Sequence, residues 1–544
     1  MGRRSADSSD GVTLQMTQQN RTLKVWALMV AMTGMAAIAS AQTPVGPAAR
    51  APQAAPDRYV VGQAKPPEVP GQVLMNLTLD DAIQRALDRN IDLKVQRYNP
   101  QLTDYSIRQT RAAYMPTLSE TTQFNNATSL ANSTADGSSL YFSSKTLSGN
   151  TSLSQATPFH GLGYTASFST NRSTTTQTNT VRPLGYTTTM SFQATQPLLR
   201  NFKTDSTRTT LLTQQITRDI NDIQLKTSIA NTIAAVRNAY WDLRSAIENI
   251  EIQRRALALA TTLVEQNRTK VEIGTMAQID VITAESQQAN AELSLVNAES
   301  TWRTAEMNFK KLIAGGTDDD IFKATVNPTD LPSVAQTNVD IDAAVKTALD
   351  QRTDLVQARK TLESNALNIE LLKNQVLPDL GLTGTYRIQG AAGQQKVAGL
   401  LTTTGYFDSV TGAYHQPTWT VQMNFTYPIG QVAARANLAR TRLSLEQSKT
   451  QLKSTELTVT TDVTNAGLSV QNAYKSLAAS QKARELAERQ AEAEQTKFDV
   501  GMSTNFTVVQ QQQALTTARL AELRAILTYV KALIEFERVQ NVGR

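Results

Sequence analysis

The 544-residue chain contains no cysteine, which excludes disulfides, thiolate metal ligands, cysteine nucleophiles and a lipidated N-terminal cysteine. Its only histidines are His160 and His415, and no acidic cluster gives either of them metal-ligand spacing. Phosphate loops, nucleophile elbows and dinucleotide fingerprints are missing too. No carboxylate pair is singled out by its surroundings, so the sequence calls for no catalytic residue, metal or cofactor. Beyond the N-terminal region no segment has eighteen apolar residues in a row, which argues against a helical membrane protein. Strands of a β-barrel alternate and escape that test. A strong excess of one charge is also lacking. The 53 Lys and Arg face 47 Asp and Glu, dispersed along the chain, so nucleic acid is not an expected partner.

What is present begins with a targeting signal. Arg21 and Lys24 precede the apolar run VWALMVAMTGMAAIA, and Ala39-Ser40-Ala41 has the small-x-small form of a cleavage site. The mature chain is therefore expected to start at Gln42, with residues 1–41 as the signal peptide and either Met1 or Met16 as the translation start. Removing them leaves 49 basic and 45 acidic residues, a net charge of +4. The run is shorter and richer in Gly and Ala than a membrane-spanning helix requires. Residues 42–75, dense in Pro, Ala and Gly, read as an extended linker.

One plan is then written twice. AIQRALDRNIDL at 82–93 matches AVKTALDQRTDL at 344–355, and the same offset carries Pro116 onto Pro378. VRNAYWDL at 236–243 matches VQNAYKSL at 470–477. TKVEIGTMAQIDV from 269 matches TKFDVGMSTNFTV from 496, and that register pairs Trp302 with Tyr529 and Phe309 with Phe536. The repeats cover 77–314 and 339–541, with a connection at 315–338.

Each repeat is expected to open with a helix, 79–114 and 341–376, that stops at a proline. Past the proline the period changes from 3.6 to 2. Trp419, Val421, Met423, Phe425 and Tyr427 alternate with Thr, Gln and Asn, and Leu380, Leu382, Tyr386 and Ile388 share one face of the preceding strand. Such strands suit a barrel wall with lipid outside and water inside, or a soluble sandwich with one solvated face. Residues 203–270 and 431–497 hold no proline and almost no glycine, and Ile229, Ile233, Val236, Tyr240, Leu243, Ile247 and Ile250 form a coiled-coil seam. A helix of that length reaches about 100 Å, a rod leading away from the strands. The helices at 279–314 and 341–376 are each about 55 Å long, so end to end they return the chain to the strands. Gly274 and Gly501 stand where the rods must reverse, and glycine supplies the positive φ that such a turn requires.

These features together resemble the TolC-like outer membrane efflux proteins. The resemblance rests on LTLDDAIQRALDRNIDL, the helix-to-strand prolines in RAAYMPTL and NQVLPDL, the returning TQPLL at 195–199, and the segments VEIGTMAQIDV and FDVGMSTNFTV. It implies a mainly α fold with a membrane β-barrel portion: duplicated helix-strand-strand-helix repeats forming a trimeric α-barrel tunnel and a shared outer-membrane barrel. It implies an exit duct of a tripartite efflux or type I secretion system, without chemistry of its own. The partners it implies are two further copies, a periplasmic adaptor (membrane fusion) protein, an inner-membrane transporter and outer-membrane lipid. Under this resemblance Gly274, Thr275, Gly501 and Met502 meet the adaptor, while Asp280, Thr507 and Gln510 constrict the tunnel. Trp419, Val421, Met423, Phe425, Tyr427, Leu380, Leu382 and Tyr386 become lipid-facing. Asp280 is read either as a ring of carboxylates near a three-fold axis or as a cap for the helix from 281 onward.

The chain departs from the family pattern of two strands per repeat. The first repeat has room for two more, near 146–157 and over LGYTASFST at 162–170, joined by a turn in TPFHGLG. This gives either six strands per copy and eighteen in a trimer, or an extracellular hairpin above a twelve-stranded barrel. The alternative from another class is an exported coiled-coil or surface adhesin anchored by its strands, which predicts heptads continuing past both glycines.

Overall fold

The computed structural model describes residues 64–130, 140–177, 180–397, 400–413 and 416–540. The expected signal peptide, the start at Gln42, residues 42–63 of the linker and His415 lie outside the described residues.

The linker reading fails at its C-terminal end. Ala64 is buried, and β1 (Val73–Leu77) pairs in parallel with β6 (Ala324–Pro328) of the connection between repeats. Met75 and Leu77 alternate onto the core while the backbone of β1 is satisfied by β6, so this stretch is held by sheet pairing despite its composition.

The opening helices are also broken where a single helix was expected. The first is α1 (Leu79–Arg89) and α2 (Ile91–Arg111), followed by a 3-10 turn at Ala112–Tyr114. Asn90 has an extended ψ of 123°, accepts the Leu93 N–H at 2.9 Å and donates to the Leu312 carbonyl at 2.8 Å. It therefore ends one helix, caps the next and ties both to the returning helix of the same repeat. Arg352 makes the same break between α5 (Ile341–Gln351) and α6 (Thr353–Gln375).

The rods are α3 (Ser206–Glu272) and α8 (Val432–Asp499), of 67 and 68 residues. Each reverses into a 36-residue helix, α4 (Gln278–Ile313) or α9 (Asn505–Gln540). Along α3, α4 packs on the half near the reversal and α2 and α6 on the half near the strands; α8 is flanked by α9 and then by α5 and α6 in the same way. The chain turns back at both glycines, which contradicts the adhesin expectation of continuing heptads.

The largest core lies midway along the rods. Val236, Tyr240, Leu243, Ile247 and Ile250 of the seam are buried there with Trp302, Phe309 and Val326, while Ile229 and Ile233 are half-buried. Tyr240 donates to the Leu77 carbonyl at 3.1 Å and accepts the Asp330 N–H at 3.0 Å, so it anchors the β1–β6 pair to the rod. Buried charges here are paired, as their desolvation requires. Arg244 meets Glu248 at 3.0 Å, Lys310 meets Glu306 at 3.0 Å, and Asp319 takes both Arg85 and Arg89.

The strands form one seven-stranded sheet at the other end of the rods. β2 (Thr117–Leu130), β3 (Tyr141–Ala156), β4 (Gly163–Thr175), β5 (Leu184–Pro197) and β7 (Asp379–Val397) run antiparallel in that order. The free side of β7 pairs with β9 (Pro417–Thr426) along its first half and with the short β8 (Leu400–Thr403) at its far end. The helix α7 (Tyr406–Gly412) packs on β7 through Gly390, where Ser409 occupies the space a Cβ would need.

Candidate functional site

Two regions carry the residues singled out in the sequence: the two helix reversals and the sheet about 100 Å away along the rods.

Both reversals are built alike. Gly274 has φ +78° and Gly501 φ +79°, values that an L side chain adopts only with strain. At the first, Gly274 N–H donates to the Val271 carbonyl at 2.9 Å and Thr275 N–H to the Lys270 carbonyl at 2.9 Å. At the second, Gly501 donates to Phe498 at 3.1 Å and Met502 to Lys497 at 2.8 Å. These are paired 5→2 and 6→1 bonds, the Schellman arrangement that satisfies the last carbonyls of a helix. Gly274, Thr275, Gly501 and Met502 are all exposed, and nothing lies within 4 Å of a Cβ added at either glycine.

Behind the turns the two hairpins are locked together. Leu263, Val264, Ala284, Phe498, Val508 and Val509 form a small shared core. Above it the buried Asn267 donates to Asn505 Oδ1 at 2.9 Å, and Asn505 Nδ2 donates to the Asp280 carbonyl at 3.1 Å. Lys270 Nζ sits 3.6 Å from the centroid of the Phe498 ring, a cation–π contact between the hairpins. Ser503 hydrogen-bonds Glu494, which also pairs with Lys497 at 3.0 Å. Apart from Asp280, none of these residues was singled out in the sequence. The available signal was Asn267 continuing the buried spacing of Ala260 and Val264, a polar residue at an apolar seam position, which in paired helices fixes register.

The cap reading of Asp280 is overturned. The N-cap of α4 is Ala277, and Asp280 lies three residues inside it, with its N–H bonded to the Ala277 carbonyl at 3.1 Å. Asp280 is half-buried, and its carboxylate makes no hydrogen bond or ion pair among the described residues. Thr507, the equivalent position in α9, lies within 2.8 Å of Thr504 Oγ1, and Gln510 is exposed one turn on. Asp280 and Thr507 thus occupy matching places just past the two turns, and only one of them is charged.

The sheet sorts its residues by face. Leu380, Leu382, Tyr386, Trp419, Val421, Met423 and Phe425 fall on one side, with Tyr386 opposite Trp419 and Leu382 opposite Met423. Tyr427 follows one residue beyond β9. Trp419, Val421, Met423 and Phe425 are each at least 64% exposed in the single copy, an apolar surface that water does not favour. The other side carries Thr383, Thr385, Thr418, Thr420, Gln422 and Asn424. His160, a lone histidine in the turn between β3 and β4, packs edge-on against Phe202, with ring centroids 4.5 Å apart.

Similarity to known proteins agrees with this arrangement. The chain matches the outer membrane efflux protein family over residues 145–315 and 344–540. It is 20% identical over 300 residues to nodulation protein T of Rhizobium leguminosarum bv. trifolii, a match covering 54% of this chain and 59% of that one. It is 26% identical over 165 residues to the outer membrane protein TolC of Vibrio cholerae, covering 30% of this chain and 37% of that one. The match therefore spans less than two thirds of the length of either relative. Its fold is that of the Campylobacter jejuni CmeC outer membrane channel, with a TM-score of 0.60, 15% identity and coverage of 86% of both chains. With the family matched across both repeats, this chain belongs to the outer membrane efflux protein family.

Proposed function

We propose that the protein is the outer-membrane exit duct of a tripartite efflux or type I secretion system, conducting substrates passively from a periplasmic adaptor and inner-membrane pump to the exterior. Three copies share one barrel, and their helices surround a periplasmic tunnel. The observation that carries this reading is the pairing of a two-faced sheet with twin exposed Schellman turns at the opposite end of 67- and 68-residue helices. A sheet with one apolar and one hydroxyl- and amide-bearing face suits a wall between lipid and water. One copy has too few strands to close a barrel wide enough for a solute, so copies must share it.

In this reading Gly274, Thr275, Gly501 and Met502 form the surface that meets the adaptor. Asp280, Thr507 and Gln510 line the constriction behind it, with Asp280 supplying a single ring of three carboxylates that attracts cations. Trp419, Val421, Met423, Phe425, Tyr427, Leu380, Leu382 and Tyr386 face lipid. Membrane fractionation, sizing and planar-bilayer recording test the reading together. The expected result is an outer-membrane trimer that conducts ions, and a monodisperse soluble periplasmic monomer overturns it.

A further inference from the structure

The wall of the duct is wider than two strands per repeat would make it. Six of the seven strands are long, from 10 residues in β9 to 19 in β7, and β3 and β4 lie inside the sheet, between β2 and β5. Their pairing is unbroken. β2 and β3 are in register from Thr117 opposite Ser154 to Leu130 opposite Tyr141, and β4 continues from β3 into β5 without a bulge.

The side-chain rows decide whether this hairpin belongs to the wall. Leu118, Leu153, Ala166, Phe192, Tyr386 and Trp419 are successive partners across all six long strands, one apolar row on one face. The next row, on the other face, is Ser119, Ser152, Ser167, Ser191, Arg387 and Thr418. Within it Ser119 and Ser152 hydrogen-bond at 2.7 Å, and so do Ser167 and Ser191. Every position of β3 and β4 on this polar face, from 146 to 154 and from 165 to 173, is Ser, Thr or Asn. A hairpin standing above the membrane has no reason to continue the lipid row of β9 and the water row of β7 in phase.

The base of the hairpin is fastened where the wall meets the rods. In its turn His160 has φ +49° and Gly161 φ +73°, and a Cβ on Gly161 would stand 2.8 Å from both Pro197 Cγ and the Asn201 carbonyl. Gln196 donates to the His160 carbonyl at 2.8 Å. This clamps the turn against the junction of β5 and α3.

We propose that three copies close an eighteen-stranded barrel, six strands from each, in which the β3–β4 hairpins form a third of the wall. The proposal rests on the duct reading above and adds the bore and the seam. β9 is exposed along its whole length and β2 at every residue but Ala127, and because six strands alternate in direction, β9 of one copy runs antiparallel to β2 of the next. Their unpaired backbone groups cannot remain open in hydrocarbon, and closure satisfies them. With strands about 4.8 Å apart and tilted about 40°, eighteen strands enclose about 36 Å between backbones, against about 24 Å for twelve. The inner wall is uncharged along β3 and β4 and carries Arg387 and, at its base, Asp379 on β7, charges of opposite sign, so the exit admits bulky solutes with little sorting by charge.

A cysteine-free chain makes the test clean. Single S152C, S167C, L153C and A166C variants are exposed on intact cells to a membrane-impermeant maleimide. Pairs joining T117C or S119C to T418C, T420C or Q422C are oxidised and run on denaturing gels. The expected result is labelling of S152C and S167C, loss of labelling at L153C and A166C, and covalent trimers from at least one β2–β9 pair. Equal labelling at all four positions, or an intramolecular S119C–S191C cross-link that joins β2 directly to β5, overturns the eighteen-stranded wall. In either case outer-membrane fractionation as a trimer leaves the duct reading standing, so the two failures are distinguishable.

Discussion

Replacing both tip glycines with valine removes the geometry of the reversals and nothing else. A Cβ at Gly274 or Gly501 meets no atom within 4 Å, so the cost is confined to the backbone at φ +78° and +79°. Holding a residue with a Cβ there costs about 1–2 kcal/mol, and valine, branched at Cβ, stands at the upper end. That disfavours each intact turn by a factor of about 5–30. The penalty falls at the end of a helix whose main core, around Ile250, lies about 36 Å away by the helical rise. Trimer assembly and thermal stability should therefore stay unchanged while the exposed turn frays. G274V/G501V should assemble, lose amide protection over 268–278 and 496–506 in hydrogen exchange, and fail in adaptor-dependent export. G274N/G501N is the control, because asparagine tolerates the left-handed region and should retain most export. Normal export by the valine double variant, or equal failure of the asparagine one, would refute the assignment of function to these turns.

Other consequences follow from single contacts. N267A leaves the buried Asn505 Oδ1 without its donor and should loosen the two hairpins by about 1–3 kcal/mol, read as higher conductance with trimer melting unchanged. D280N and D280A should behave alike, both losing divalent-cation block, because Asp280 is not the N-cap of α4; a stability gap between them above about 1 kcal/mol would restore the cap role. Burial alone would raise the Asp319 carboxyl, but hydrogen bonds from Gly315, Arg89, Ile321 and Arg85 outweigh it and hold the group well below the usual carboxylate range. Its contribution is therefore fully present above about pH 4, where an unfolded aspartate is ionised, and is lost as pH falls toward the lower folded-state value. Acid melting curves of D319N should be flatter than wild type over that window. G467A should destabilise despite a helix-propensity gain of about 1 kcal/mol, because its Cβ would lie 2.7 Å from Ile341 Cγ1, and I341A should relieve it in a double-mutant melting cycle.

What could be read from the sequence was whatever repeats or alternates. The duplicated glycines gave both reversals, and the period-2 runs around Trp419 and Phe168 located strands and their faces. The breaks at Asn90 and Arg352 were hidden because each lies inside a run with continuous helical periodicity, and the Asn90 bend is held by the carbonyl of Leu312, 222 residues away. β1 was masked by its Pro- and Gly-rich neighbours, since its partner β6 is remote in sequence and parallel pairing leaves no hairpin signal. The lock at Asn267 and Asn505 was only half legible: Asn267 stands out as a polar residue at an apolar seam position, but its partner is 238 residues away in the other repeat.

The duplication also separates what a reversal needs from what it does. The two turns share the glycine, its positive φ and both Schellman bonds, so geometry is what the repeats hold in common. Before the glycine they also share Thr269 with Thr496 and Lys270 with Lys497, but past it they differ at every position from 275 to 280. Met276 in one hairpin stands where Ser503 binds Glu494 in the other, Ala277 stands where Thr504 meets Thr507, and Asp280 stands where the second hairpin is neutral. A ring of the three proposed copies would therefore alternate two kinds of hairpin, one charged just past its turn and one neutral there, with Ser503 and Thr504 bonded to side chains of their own hairpin. A surface binding every hairpin in the same way would have to read the shared backbone, whereas one that distinguishes them has the Asp280 and Thr507 positions to work with. Exchanging the segments 275–280 and 502–507 tests this directly. An adaptor that reads backbone will still couple to the exchanged duct, and one that reads side chains will not.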